Sequence, residues 1–145
     1  MRLVFLALTI SVISFFLQAR AETKVISLHA RLSLYGTEDF YGPEIEAFID
    51  FKNDSGLCKI TYEDPRKKDS AYHFSNIEIQ TVFDQLNQVD LDTLKTEYKA
   101  RMTDQATSYI TISTPGKQYN IKDYGLIGDH PLQKIYRIIY STRYQ

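Results

Sequence analysis

The stretch Thr107–Tyr124, TSYITISTPGKQYNIKDY, decides the fold because it reads as a β-hairpin with one apolar and one polar face. Ile110 and Ile112 alternate with Tyr109, Thr111 and Ser113, and beyond Thr114-Pro115-Gly116-Lys117 the alternation resumes at Tyr119 and Ile121. A period of two marks a half-buried strand, and Pro-Gly is turn chemistry. A four-residue loop pairs Ile112 with Tyr119 and Ile110 with Ile121 on one side. Thr111 then meets Asn120, Ser113 meets Gln118 and Tyr109 meets Lys122 on the other.

Upstream of the hairpin, Ser75-Asn76-Ile77-Glu78 has the form of a capping box, with Phe74 and Ile79 placed as a hydrophobic staple. Ile79, Val82, Phe83 and Leu86 follow at helical spacing, which predicts a helix from about Asn76 to Gln88. Asp90 to Tyr98 reads as a short helical turn and Lys99 to Gln105 as loop. Nearer the front, Ile26, Leu28, Ala30, Leu32 and Leu34 alternate with polar residues, giving a first strand. A turn-rich loop at Tyr35 to Pro43 leads to a second strand carrying Ile45, Ala47, Ile49 and Phe51, and Leu57 to Tyr62 reads as its return.

A four-residue loop at Asn53 to Gly56 sets Phe51 against Cys58, Ile49 against Ile60 and Ala47 against Tyr62, which keeps the apolar pairs on one face. It leaves one misfit, Glu46 facing Glu63, and points Cys58 into the core. Downstream, a closing helix starts near Asp129 or His130, with Pro131 suited to its first turn and an apolar stripe of Leu132, Ile135, Ile138 and Ile139. The order is βββαββα. The expected fold class is α+β: a single antiparallel sheet of about five strands, with two helices packed on one face and the other face open.

The N-terminus carries Arg2, an apolar run from Leu3 to Leu17, and Ala19-Arg20-Ala21. That is the layout of a secretory signal peptide over residues 1–21, with an A-x-A cleavage pattern. Its removal leaves residues 22–145 as one exported α+β domain, expected in the periplasm or outside the cell. Without Arg2 and Arg20 the balance is 15 basic against 18 acidic residues, which argues against a nucleic-acid partner. The one basic run, Arg66-Lys67-Lys68, is closed off by Asp64 and Asp69 and reads as a solvated loop. Cys58 is the only cysteine, so no internal disulfide is available, and no membrane span is expected in the mature chain.

Catalytic motifs are absent: no G-x-S-x-G, no H-E-x-x-H, no phosphate-binding glycine loop and no C-x-x-C. His29, His73 and His130 are far apart in sequence, and ordinary surface or capping roles suit them. No metal or other cofactor is expected. The stretch from Asp123 to Pro131, with Asp123, Asp129 and His130, is the one place where a small polar site would assemble; the plainer reading is a strand-to-helix connection capped by Asp129.

Tyrosine is the unusual residue, with eleven copies and no tryptophan in the chain. A rigid aromatic with a hydroxyl suits binding surfaces. The polar sheet face presents His29, Arg31, Phe48, Lys59, Tyr109, Thr111 and Lys122, with Glu38, Asp39, Phe40 and Tyr41 of the loop at its edge. These residues predict a non-enzymatic protein-binding domain, such as an inhibitor or immunity protein acting on an envelope enzyme. The alternatives are a small envelope enzyme with its site near Asp123, Asp129 and His130, or a self-associating structural subunit.

The second half resembles an uncharacterised family of small exported bacterial domains. The resemblance is carried by Phe83, Leu86, Leu94 and Tyr98, by Thr103-Asp104 and Ser108–Ile112, and by Gly116-Lys117, Ile121–Gly125 and Pro131-Leu132. It runs from about Ser75 to Ile139, with a looser fit in the front half at Tyr35-Gly36, Gly42-Pro43 and Asp54–Gly56. It implies export and an α+β order and carries no activity. Family members often have a cysteine pair near the front, where this chain has Tyr35 and Tyr41-Gly42 instead.

Overall fold

Residues 25–34 and 42–140 are described by the computed structural model. The signal segment expected over residues 1–21 and the loop carrying Glu38, Asp39, Phe40 and Tyr41 lie outside the described residues. In chain order the strands are β1 (Ser27–Ser33), β2 (Glu44–Asp50), β3 (Ser55–Thr61) and β4 (Ser70–His73). Helix α1 (Asn76–Asn87) and a 3-10 turn (Leu91–Thr93) follow. Then come β5 (Glu97–Lys99), β6 (Thr107–Ser113), β7 (Gln118–Tyr124) and helix α2 (Leu132–Ile139). The sheet order is β4-β3-β2-β1-β6-β7-β5.

This corrects the expected five-stranded antiparallel sheet: among the described residues it has seven strands and is mixed, because β5 runs parallel to β7 at the edge. The two added strands are the shortest, four and three residues long, and both lie at edges, where short strands limit unwanted pairing. The β6–β7 hairpin has the register read from the sequence, with Ile110 opposite Ile121 and Tyr109 opposite Lys122.

The β2–β3 hairpin does not have the expected register. Cys58 pairs with Ala47 and Gly56 with Ile49, and the turn occupies residues 51–54 rather than 53–56. Two local features favour this turn. The Asp50 carboxylate accepts from the Lys52 and Asn53 amides at 2.9 and 3.3 Å, and Asp54 takes a left-handed backbone with φ of 47°. The shift also brings Glu46 opposite Lys59, which removes the clash with Glu63. Cys58 still faces the core and is fully buried.

Inward-facing Leu28, Ala30, Ile45, Ala47, Ile49, Ile110 and Ile112 share one apolar cluster with Ile79, Val82 and Leu86 of α1 and with Leu132, Ile135 and Ile139 of α2. Both helices therefore cover the inner face. Helix α1 begins with the full capping box: the Glu78 amide donates to Ser75 Oγ at 3.3 Å, and the Ser75 amide donates to the Glu78 carboxylate at 2.8 Å. Helix α2 starts at Pro131 with no side-chain cap, so Asp129 does not cap it. No helix among the described residues is long and apolar enough to cross a membrane.

Candidate functional site

The outer face of the sheet carries the side chains that alternate with the core positions. Strand pairing sets Leu57, Phe48, His29, Thr111 and Asn120 in one row across β3, β2, β1, β6 and β7. The neighbouring row is Lys59, Glu46, Arg31, Tyr109 and Lys122, extended by Glu97 of β5. His29, Arg31, Phe48, Lys59, Tyr109, Thr111 and Lys122 thus stand together in two adjacent rows.

Three of them, His29, Arg31 and Lys122, have an acidic partner within the face. His29 Nε2 lies 2.8 Å from Glu46, Arg31 donates to Glu44 at 2.6 Å, and Lys122 Nζ lies 3.3 Å from Glu97. Such exposed pairs contribute roughly 0–1 kcal/mol each, so they orient side chains more than they stabilise the fold. Glu44 holds the Arg31 guanidinium above its ordinary range by hydrogen bonding and by charge. Phe48 and Tyr109 remain half exposed, at 48% and 51%, with the His29 ring edge-on to Phe48 at 6.4 Å. The face is nearly neutral and carries two aromatic rings that have little to pack against. The sequence reading set Asn120 opposite Thr111 on this side but did not bring Glu44, Glu46 and Glu97 into the surface; the cross-strand register does.

A second polar group lies on the inner face, at the β5 end of the sheet. Asp123 of β7 points inward with the parity of Ile121, between Ser108 of β6 and Tyr98 of β5. His130 comes in from the connection to α2 and places Nε2 3.0 Å from Asp123 Oδ2, with side chains only 6% and 1% exposed. Tyr98 stacks on the imidazole at 4.2 Å and 20°, and Tyr136 of α2 meets it edge-on at 6.1 Å. Tyr140 stacks on Tyr136, and its hydroxyl lies 2.8 Å from Ser108 Oγ. Gln133 Nε2 donates to the Leu126 carbonyl at 2.7 Å and lies 3.1 Å from His130 Nε2.

Burial pushes the Asp123 carboxyl above the ordinary carboxylate range, against the pull of His130 and the Tyr136 hydroxyl. Burial likewise raises the Tyr136 and Tyr140 hydroxyls. The connection turns through positive φ at Gly125, Leu126 and Gly128, and only at Leu126 does that conformation strain a side chain. A Cβ on Gly125 would lie 2.5 Å from that of Ala100, so this position requires glycine on two counts.

The structure therefore joins Asp123 to His130, leaves Asp129 exposed outside the pair, and corrects the surface or capping role expected for His130. His29 and His73 are exposed. Among the described residues no group of three or more His, Cys, Asp or Glu side chains is placed to hold a metal ion. Two shallow hollows, of about 370 and 180 Å3, lie at the start of α1 and beside Gly42-Pro43. Neither is lined by Asp123 or His130.

A family model, Domain of unknown function (DUF6438), matches residues 52–142. The chain belongs to the DUF6438 family. The DUF6438 match runs from the β2–β3 turn through α2 and includes Tyr98, Asp123 and His130, while β1 and β2 precede it. No curated protein and no solved structure matches the chain.

Proposed function

We propose that this chain is a non-enzymatic protein-binding domain that docks a partner protein on the outer face of its sheet. The observation that carries this reading is the pair of half-exposed rings, Phe48 and Tyr109, beside His29, Arg31 and Lys122, each of which is paired with an acidic neighbour. Aromatic side chains surrounded by satisfied polar groups are the usual anchors of protein interfaces, and a near-neutral centre avoids the cost of stripping water from unpaired charge. The N-terminal sequence pattern supports action outside the cytoplasm, and an inhibitor or immunity protein for an envelope enzyme of a bacterium is the specific role we infer.

One observation favours an enzymatic reading, namely that Asp123 and His130 do come together. Their burial weighs against it, because a general acid or base must come within hydrogen-bonding reach of its substrate. The test is capture: residues 22–145, immobilised, should retain one stoichiometric partner from a native envelope extract. Phe48→Ala or Tyr109→Ala should release that partner, while His130→Ala should keep it. Retention by a folded Phe48→Ala/Tyr109→Ala double variant would end the proposal. A dimer by light scattering, with no foreign partner, would favour a self-associating subunit.

A further inference from the structure

We propose that Asp123 and His130 form a proton-operated latch, which holds β5 and α2 to the end of the sheet while the pair carries one proton and loosens them when it carries none or two. The pair sits where three elements meet: Asp123 on β7, His130 on the connection to α2, and Tyr98 of β5 stacked over the imidazole. β5 is only three residues long and its one strand neighbour is β7. Its hold on the sheet is therefore modest, with the Ala100 amide donating to Tyr124 at 2.8 Å and the Lys122 amide to Thr96 at 2.9 Å. The Tyr98–His130 stack supplies side-chain contact where backbone pairing is thin.

The groups facing the pair carry no compensating charge. β5 contributes Tyr98, β6 contributes Ser108, and α2 contributes Gln133, Tyr136 and Tyr140, all uncharged near neutral pH. Glu97, Lys99 and Lys122 are on the outer face, while Asp129, Lys134 and Arg137 are exposed. The site is neutral only when Asp123 and His130 hold one proton between them, on either group, and a net charge confined there lacks the water that would stabilise it.

The pH dependence follows from what the opened chain does with the same two groups. Free Asp and His side chains titrate near about 3.9 and about 6.5, so between these values the opened chain also holds one proton and stability is flat. Above about 6.5 the opened chain gives its proton up while the closed one keeps it, so closure weakens by up to about tenfold per pH unit. Below about 3.9 the opened chain takes a second proton, and closure weakens again as pH falls. The raised Asp123 carboxyl fits the alkaline arm, since it favours the proton-holding closed form.

The test is amide hydrogen exchange on the full chain, corrected for the intrinsic pH dependence of exchange. Protection of Ala100 and Lys122 should fall between about pH 7 and 9 by up to about tenfold per unit relative to amides of β1, which is paired on both sides. Asp123→Asn should flatten that difference. Parallel profiles for the two regions, or an unchanged slope in Asp123→Asn, would overturn the latch. Should Asp123→Asn fail to fold, carboxyl 13C and imidazole 15N shifts of the unaltered protein decide. One proton held by the pair from well below about pH 3.9 to well above about pH 6.5 supports the proposal, and two groups titrating independently near these ordinary values overturns it.

Discussion

Replacing Gly56 by alanine tests the arrangement of the front hairpin, because the two possible registers put that residue in different surroundings. In the structure Gly56 is an inward-facing strand residue opposite Ile49, and its carbonyl accepts from the Phe74 amide at 3.0 Å. A Cβ there would lie 2.9 Å from Phe74 Cδ2 and 3.3 Å from both Ile49 Cγ1 and Phe74 Cβ. Phe74 is 5% exposed and Ile49 fully buried, so neither ring nor side chain can swing into solvent. Overpacking of this kind costs about 1–3 kcal/mol, and alanine recovers roughly 0.5–1 kcal/mol of strand propensity over glycine. The net loss is about 1–2 kcal/mol, or a Tm lower by roughly 4–8 °C for a domain of this size. Denaturant unfolding measures it, and the Phe74→Leu background identifies its source. With the smaller side chain the Gly56→Ala penalty should shrink by at least about 0.5 kcal/mol, since residues in contact are not additive. The same penalty in both backgrounds would mean that Gly56 does not lie beneath Phe74, and would refute the register.

Further predictions concern the helix start, the buried hydroxyls and the thiol. Ser75→Ala removes one half of the capping box and should cost about 1 kcal/mol in urea unfolding, with Ser75→Asp nearly neutral. Ser108→Ala leaves the buried Tyr140 hydroxyl without its 2.8 Å partner and should cost about 1–3 kcal/mol, most of it recovered by adding Tyr140→Phe. Cys58 is fully buried, so a thiol reagent should modify it only as the domain opens, at a rate that follows unfolding and rises with urea. Phe48→Ala and Tyr109→Ala should each change stability by less than about 1 kcal/mol, because both rings are half exposed.

Strand parity carried more of this molecule than strand count did. The β6–β7 hairpin is legible because seven residues on each side of a Pro-Gly turn alternate cleanly, and α1 because Ser75 and Glu78 announce its start. β4 and β5 are too short to establish an alternation, and β5 pairs in parallel with residues of β7 twenty-five positions further along, which no local pattern encodes. The two registers of β2 and β3 differ by an even number of residues, so both keep the apolar side inward. The choice rests on the Asp50 side chain and the left-handed Asp54. Parity also placed seven of the outer-face residues correctly. Asp123 faces inward in step with Ile121, a placement not drawn from the sequence, and the arrival of His130 and Tyr98 beside it depends on how the chain returns.

The central claim, that the outer face is the docking surface, is tested most directly by calorimetric titration of the captured partner into three single variants. Tyr109→Ala and Phe48→Ala should each weaken binding by about tenfold or more, a loss of at least about 1.4 kcal/mol. Ile77→Ala, which trims an apolar side chain 79% exposed at the start of α1, should bind like the unaltered protein. Full affinity in the Tyr109 and Phe48 variants, with loss confined to Ile77→Ala, would place the interface on the helical side and contradict the account.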